Sequence, residues 1–296
     1  MEDWYQGTSI PRDLWHGFED RVERGLNVIL EVLAASESKG TFFFLGAVAE
    51  AHPELVRRVG EAGHEIGTHG CYHRTTFSLT RKRFAEDLLR SIQVIEDACG
   101  QKVRGYRAPY FSITRRSLWA FDVMLELGLE YDSSVAPIHH HRCGIPYTPR
   151  FSYAIKREGG SIVECPLTTV RTMRRNIPMF GGFYFRLFPF PAIAWGARRI
   201  HNEGHPAIFY LHPWEFDPDH PRIKMRPTIG IPHYWNLRST EQKLRLLVRE
   251  FDFGSIADTV LPHKPELMVV ECTPDDSPQK NGKRARSYAA KQLSAR

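Results

Sequence analysis

No stretch of the 296-residue chain approaches the ~18–20 consecutive apolar residues that a spanning helix needs, and no charged-then-apolar leader opens it. Thiols are scarce. The five cysteines (Cys71, Cys99, Cys143, Cys165, Cys272) are odd in number and include no C-x-x-C pair, which argues against a disulfide framework or a thiolate zinc finger. A fold-wide positive charge is missing as well, although the formal net charge is +6. Six of the 40 basic residues lie from Lys280 onward, where there is no acid, and the 34 that remain equal the 34 acidic residues. A nucleic-acid-binding body would carry a basic face instead, so no nucleic-acid partner is expected. With 42% hydrophobic and 25% charged residues, the chain is also no disordered polymer, coiled coil or collagen-like fibre. A protein of a reducing compartment, the cytoplasm, is the expectation. Its oligomeric state is not written in the sequence.

What the chain does have is an alternation of short apolar runs and amphipathic stretches. Val22, Leu26, Ile29, Leu30 and Leu33 fall at helical spacing over residues 18–35, and Thr41 to Gly46 reads as a buried strand. Pro53 suits the first turn of a helix that ends near Gly63, and His64-Glu65-Ile66 is a short strand leading to Gly67-Thr68-His69. Thr80 is a candidate N-cap for a helix over 81–98, with Phe84, Leu88, Ile92 and Ile95 on one face. Val103 to Tyr106, a helix from Thr114 to Leu127 and the segment Leu129 to Asp132 continue the series. That order predicts a parallel sheet in an α/β fold. Residues 137–190, rich in Pro, Gly and aromatics, read as a loop-rich insertion with short hairpins. Helices near 191–203 and 240–251 flank a predicted strand from Ala207 to Leu211. One catalytic domain over 1–262 and a basic, disordered tail over 263–296 are expected.

Polar residues cluster at the predicted strand ends, where α/β folds place their chemistry. His69 and His73 stand four apart just after a strand; two imidazoles there can converge on a metal ion, or they can be ordinary loop histidines. A third ligand would come from a distant carboxylate or histidine, for which Glu2 and Asp3 are candidates. Arg107-Ala108-Pro109-Tyr110 cannot continue as helix, because Pro109 forces Ala108 to be extended. Arg107 could grip a carboxylate there or simply face solvent. His212 ends an apolar run and is followed by Pro213-Trp214-Glu215; it could donate a proton or be a capped core residue. The run His139-His140-His141 reads as a loop, Cys71 as a small buried thiol, and Gly181 to Arg186 as either a packed hairpin or an aromatic wall for a sugar.

Taken in order, Glu2-Asp3-Trp4, His69-x-x-x-His73, Arg107-x-Pro109-Tyr110, Tyr131-Asp132-Ser133-Ser134 and Leu211-His212-Pro213 form a pattern. It resembles that of the NodB-like polysaccharide deacetylases of carbohydrate esterase family 4. The longer match running to Phe209-Tyr210-Leu211-His212-Pro213-Trp214-Glu215 is similar to the subgroup that accompanies exopolysaccharide and exosortase gene clusters. The resemblance implies a distorted (β/α) barrel of the NodB-homology type and a divalent ion, most simply Zn2+. His69, His73 and an acid from Glu2 or Asp3 would bind it, with Asp3 favoured. It further implies that Arg107 steadies the family's general base, that Tyr110 lends its backbone N–H to the oxyanion, and that His212 protonates the leaving amine. Asp132 would tune His212. Trp214, from its own residue type, reads either as a substrate contact or as a packing residue. The subgroup pattern is Asp-Val-Glu-Asp with Met1 at the Val position, so the Asp that is the family's general base is absent from this sequence, as is the first strand that would lead to it.

The implied reaction is hydrolysis of N-acetyl groups on a bacterial polysaccharide or on a lipid-linked oligosaccharide precursor. A catalytically impaired sugar-binding relative or a truncated gene product is the first alternative, and a hydrolase of a small cyclic amide the second.

Overall fold

The computed structural model describes residues 1–271 apart from positions 7, 9, 11, 140–142 and 174, so His140, His141 and residues 272–296 of the basic tail lie outside the described residues. The first half alternates as its periodicity predicts. Helix α1 (Val22–Ala34) is followed by β1 (Thr41–Phe44), α2 (Gly46–Ala51), α3 (Pro53–Glu61), β2 (Glu65–Thr68), α4 (Arg81–Cys99), β3 (Gly105–Tyr106), α5 (Trp119–Glu126) and β4 (Tyr131–Asp132). The signals behind these elements are physical. Val22, Leu26, Ile29 and Leu33 are the buried stripe of α1. Pro53 occupies the first turn of α3, and the Thr80 hydroxyl accepts the Arg83 N–H at 3.3 Å to start α4.

The second half is more ordered than its composition suggests. The expected loop-rich insertion contains β5 (Tyr153–Arg157), β6 (Gly160–Glu164) and a separate hairpin of β7 (Thr169–Thr172) and β8 (Arg175–Pro178). After α6 (Gly182–Leu187) and α7 (Phe190–Asn202) come α8 (Pro227–Tyr234), α9 (Thr240–Glu250), α10 (Ile256–Val260) and β9 (Val269–Glu271). Gly181 to Arg186, read as a hairpin or a sugar wall, therefore enters a short helix. The expected disorder from residue 263 is corrected in part, because β9 pairs in parallel with β5.

The main sheet has seven strands in the order β1-β2-β3-β4-β6-β5-β9, parallel throughout except for the β5–β6 hairpin. Its parallel ladder aligns Phe44 with Thr68, Thr68 with Tyr106, and Tyr106 with Asp132. The strand ends therefore lie along one rim. The segment from Ala207 to Leu211 does not become the predicted strand. Tyr210 makes a single parallel bridge with Gly181 and donates its N–H to Phe180 O at 3.0 Å, while the other flank of the segment faces a cavity shared with Phe42 and Phe43. An apolar run announces burial, but pairing needs a neighbour, and here there is one on one side only.

The largest apolar cluster runs through Leu26, Phe44, Val56, Ile95 and Phe121 and extends into the second half at Tyr153, Ile162 and Phe216. A further cluster around Val170, Phe180, Phe185, Ile193 and Leu247 supports the later helices. At Gly25 the halves touch closely: a Cβ there would lie 1.9 Å from Pro213 O. Only a glycine lets α1 approach the backbone just after His212.

Candidate active site

His69, His73, Arg107 and Tyr110 are delivered by strand ends or by the turns after them, whereas Glu2 comes from the amino-terminal segment and His212 from the end of the apolar run that makes a single bridge. The amino-terminal residues run beside β1, where the Leu45 N–H donates to Met1 O at 3.3 Å, and this holds Glu2 against the rim. His69 directly follows β2 and donates its backbone N–H to Phe44 O at 2.7 Å. Gly70, at φ +74°, turns the chain, and His73 takes φ +54°, an uncommon left-handed conformation for a residue with a side chain. The two turns bring the His73 ring back to 5.1 Å from that of His69.

Glu2, His69 and His73 each offer one ligand atom, and these atoms lie within 4.8 Å of one another. Glu2 Oε2 is 2.6 Å from His73 Nε2, yet this buried oxygen accepts no aligned hydrogen bond among the described residues. His69 Nδ1 is committed to Arg107 O at 2.6 Å, which leaves Nε2 for another partner. Burial opposes the charge on Glu2, but His73, His212 and His69 outweigh it and hold the carboxyl well below the usual range. Burial, with His73 beside it, pushes His69 well below the ordinary imidazole value. A carboxylate that stays ionised and an imidazole that stays neutral are what a divalent ion needs. One carboxylate oxygen and two imidazole nitrogens fit zinc best, and three protein ligands are the number at which a catalytic zinc keeps a position open.

On the other side of the cleft His212 Nε2 lies 3.9 Å from Glu2 Oε1. His212 Nδ1 is held by Glu215 Oε1 at 2.7 Å, and the same oxygen accepts the His212 backbone N–H at 3.0 Å. Glu215 is fully buried, and its second oxygen accepts from Arg186 Nε at 2.7 Å. Burial disfavours charge on both partners, but the hydrogen bond and charge of Glu215 raise the His212 pKa. His212 and Arg186 together lower that of Glu215. The glutamate was not singled out in the sequence, although Leu211-His212-Pro213-Trp214-Glu215 carries the signal: an acid at the third helical position can reach back to the residue at the cap.

Two sequence expectations are corrected. Asp3, favoured as the acidic ligand, is not in the cluster. Its Oδ2 accepts the N–H of Arg21 at 2.7 Å and of Val22 at 3.0 Å, capping α1, while Oδ1 accepts from Trp4 at 2.7 Å. Burial, reinforced by its hydrogen bond to Asp20, pushes its pKa up to about 8. The first helical N–H groups lack intrahelical partners, and they claim the carboxyl that lies one residue too far along the chain to reach the histidines. Asp132, expected to tune His212, instead shares a hydrogen bond with the equally buried Glu164 and accepts from Ser134 Oγ. Burial raises its pKa to about 6 and that of Glu164 well above the carboxylate range. Its place beside His212 is taken by Glu215.

Arg107, Tyr110 and Trp214 all line the same cavity, of about 730 Å³, as the metal cluster and His212. Arg107 is held by Ser133 Oγ at 2.7 Å and Ser133 O at 3.2 Å, with its guanidinium over the Phe43 ring. Tyr110, in a left-handed conformation at φ +56°, sets its ring edge-on to His73 at 4.8 Å. Trp214 is sandwiched between the rings of His212 (5.4 Å) and His233 (4.2 Å), and its indole N–H donates to Glu2 Oε1 at 3.3 Å. His233, absent from the sequence reading, also lines the cavity. Cys71 is buried with its thiol pushed up by burial, as a packing residue would be, and His139 stacks edge-on against Tyr147.

Comparison with known proteins divides the chain in two. Residues 7–131 match the family described as polysaccharide deacetylase, and residues 133–261 match DUF3473, a domain of unknown function. A peptidoglycan deacetylase of Helicobacter pylori is 30% identical over 132 residues, which are 44% of this chain and 43% of that one. A chitooligosaccharide deacetylase of Sinorhizobium fredii is 34% identical over 97 residues, 32% of this chain and 42% of the relative. The chain thus spans less than half the length of these curated relatives. Among solved structures, a Mycobacterium smegmatis protein assigned to the polysaccharide deacetylases matches with a TM-score of 0.56 at 21% identity, covering 87% of this chain and 81% of that one. An allantoinase matches with a TM-score of 0.55 at 17% identity, over 82% of this chain and 73% of its own. Both share the NodB barrel-like fold.

Proposed function

The chain is a member of the NodB/CE4 polysaccharide deacetylases, in the exopolysaccharide-associated subgroup that joins the deacetylase domain to DUF3473, and on that premise we propose that it removes N-acetyl groups from the glycan of a bacterial exopolysaccharide or from its lipid-linked oligosaccharide precursor, using a divalent ion. The observation that carries this reading is the meeting of Glu2, His69 and His73 within 4.8 Å, with the His212 ring across the same cleft. Residues 1–262 act as one catalytic unit, since both matched stretches line the cavity. No helix among the described residues is long and apolar enough to cross a membrane. Among the described residues four cysteines are free.

Glu2, His69 and His73 would hold the ion, which is best taken as zinc. When bound, such an ion supplies Lewis-acid polarisation of the amide carbonyl and makes a nucleophile available near neutral pH. His212 carries the proton. Its Nδ1 is tied to Glu215, so Nε2 is the nitrogen that faces the cleft, and from there it can protonate the departing amine. Tyr110, in its left-handed turn, would present its backbone N–H to the developing oxyanion. Arg107 orients His69 through its carbonyl and places a half-buried positive charge by the cleft. Trp214 braces His212 and Glu2 rather than offering an open platform, whereas the exposed ring of Tyr110 is available to a sugar.

The test is acetate release from N-acetylglucosamine oligomers by the purified chain with added Zn2+. Turnover should be lost on chelation and fall at least ~100-fold in His212→Asn. Absence of acetate from every N-acetylated glycan tried, with zinc bound, would favour the sugar-binding alternative. Turnover that survives His69→Ala and His73→Ala would remove the metal site from the mechanism.

A further inference from the structure

Arg186 lies at the carboxyl end of α6, and its side chain is only 1% exposed. Four of its N–H directions are spoken for. Nε donates to Glu215 Oε2 at 2.7 Å, Nη2 to Pro232 O at 2.9 Å, and Nη1 to His233 O at 3.1 Å and to Trp235 O. Its guanidinium also lies 5.4 Å from the Trp214 ring centroid. The backbone that carries it is pinned in turn, since Lys243 Nζ donates to the carbonyls of Phe185, Arg186 and Phe188, and Asn236 Nδ2 to that of Arg186. One planar cation thus joins α6, the end of α8 and the turn after His212.

We propose that Arg186 is a positioning residue for His212, acting through Glu215. A planar guanidinium can fix a carboxylate in one orientation, which a point charge cannot. With Oε2 anchored on Arg186, Glu215 presents Oε1 to both the ring Nδ1 and the backbone N–H of His212. That contact selects the tautomer with hydrogen on Nδ1 and directs Nε2 toward Glu2 and the cleft. The same guanidinium holds the carbonyls at 232, 233 and 235, next to Pro232 and His233 of the cavity wall. The wall and the proton donor are therefore set by one group, and a substrate that presses on the wall loads the contact that aims the imidazole.

The proposal rests on His212 being the proton donor, so the experiment has one arm that needs no turnover. In protein labelled with 15N-histidine, with His212→Asn to assign the ring, wild type should show an Nδ1–H signal protected from exchange. In Arg186→Lys and Arg186→Met that proton should exchange at least tenfold faster, with near-UV circular dichroism retained; Arg186→Lys keeps the charge and guards against a variant that fails to fold. An unchanged, protected signal in both would overturn the proposal whether or not the chain is a deacetylase. In the second arm, on N-acetylglucosamine oligomers, kcat should fall tenfold or more with KM within twofold. Arg186→Met combined with Glu215→Gln should cost no more than Glu215→Gln alone. Losses that multiply, or a change confined to KM, would mean that Arg186 acts on the fold or on substrate and not through Glu215.

Discussion

Replacing Glu2 with Gln should abolish tight divalent-ion binding, whereas Asp3→Ala should weaken the fold and leave the ion in place. Glu2 supplies the single carboxylate of a cluster whose ligand atoms lie within 4.8 Å. Changes to outer-shell partners typically cost ~10–100-fold in metal affinity. Losing the ligand itself should therefore raise Kd for Zn2+ by at least ~100-fold, about 2.7 kcal/mol. Asp3 contributes differently. Its oxygens take up the N–H groups of Trp4, Arg21 and Val22, two of which open α1. Removing a capping carboxyl costs ~0.5–2 kcal/mol; the Trp4 and Arg21 N–H groups lose their acceptor while that of Val22 keeps a longer contact to Asp20, so about 1–2 kcal/mol is expected. For a chain of this size that is a fall in melting temperature of about 2–3 °C. Equilibrium dialysis against Zn2+, paired with thermal melts with and without a chelator, reads both quantities on the same samples. If Asp3→Ala loses the ion while Glu2→Gln keeps it, the assignment of the two acids is reversed and the cluster described above is wrong.

Gly25→Ala should both destabilise the protein and depress turnover, because the new methyl would sit 1.9 Å from Pro213 O and must push the backbone next to His212; denaturant midpoints and kcat check the two effects, and a neutral substitution would refute the close approach. His64 should make stability fall as pH drops. Burial, with Lys39 nearby, lowers its pKa to about 4, so below about pH 6.5 the unfolded chain binds a proton that the folded chain refuses. The contribution is complete above pH 6.5 and is lost toward pH 4, by at most about 3 kcal/mol. In urea titrations His64→Phe, beside the Phe42 ring, should flatten this part of the profile, and a slope identical to wild type would remove His64 from the explanation.

Local signals in the sequence reached the first half of the fold and one side of the site. The stripe of Val22, Leu26, Ile29 and Leu33, the cap at Thr80 and the proline at 53 each act within a turn or two of chain, and the elements appear where these residues stand. His69 and His73 were visible for the same reason. What escaped was set by distant partners. Ala207 to Leu211 has a strand's composition but lacks a neighbour on one flank. β9 lies in a stretch rich in proline and lysine, and it is ordered by a ladder to β5 more than a hundred residues earlier. α8 carries Pro227 and Pro232, so its periodicity gives no helical stripe, and Arg186 holds its carboxyl end from outside. Glu2 and Asp3 are adjacent, and only the position of α1 decides which of them is drawn away as a cap. The partner of His212 was misplaced on Asp132 because a family pattern records the presence of an acid but not the direction in which it points.

The division of the site between the two matched stretches bears on what DUF3473 is for. His69, His73, Arg107 and Tyr110 fall within 7–131, while His212, Trp214, Glu215 and Arg186 fall within 133–261. Neither stretch holds both the pair His69 and His73 and the imidazole of His212. The junction is not a linker either: Tyr131 and Asp132 on β4 pair directly with Val163 and Glu164 on β6, and Trp214 reaches across to Glu2. One apolar cluster passes through both stretches, from Leu26 to Phe216 and Leu244. An appended module would leave its neighbour's core and site complete. Here the second stretch supplies two of the seven strands, the floor under α1 and the His212 side of the cleft, so its variation should act on how His212 is aimed and on what the wall from 228 to 233 admits, while the pair His69 and His73 stays with the first.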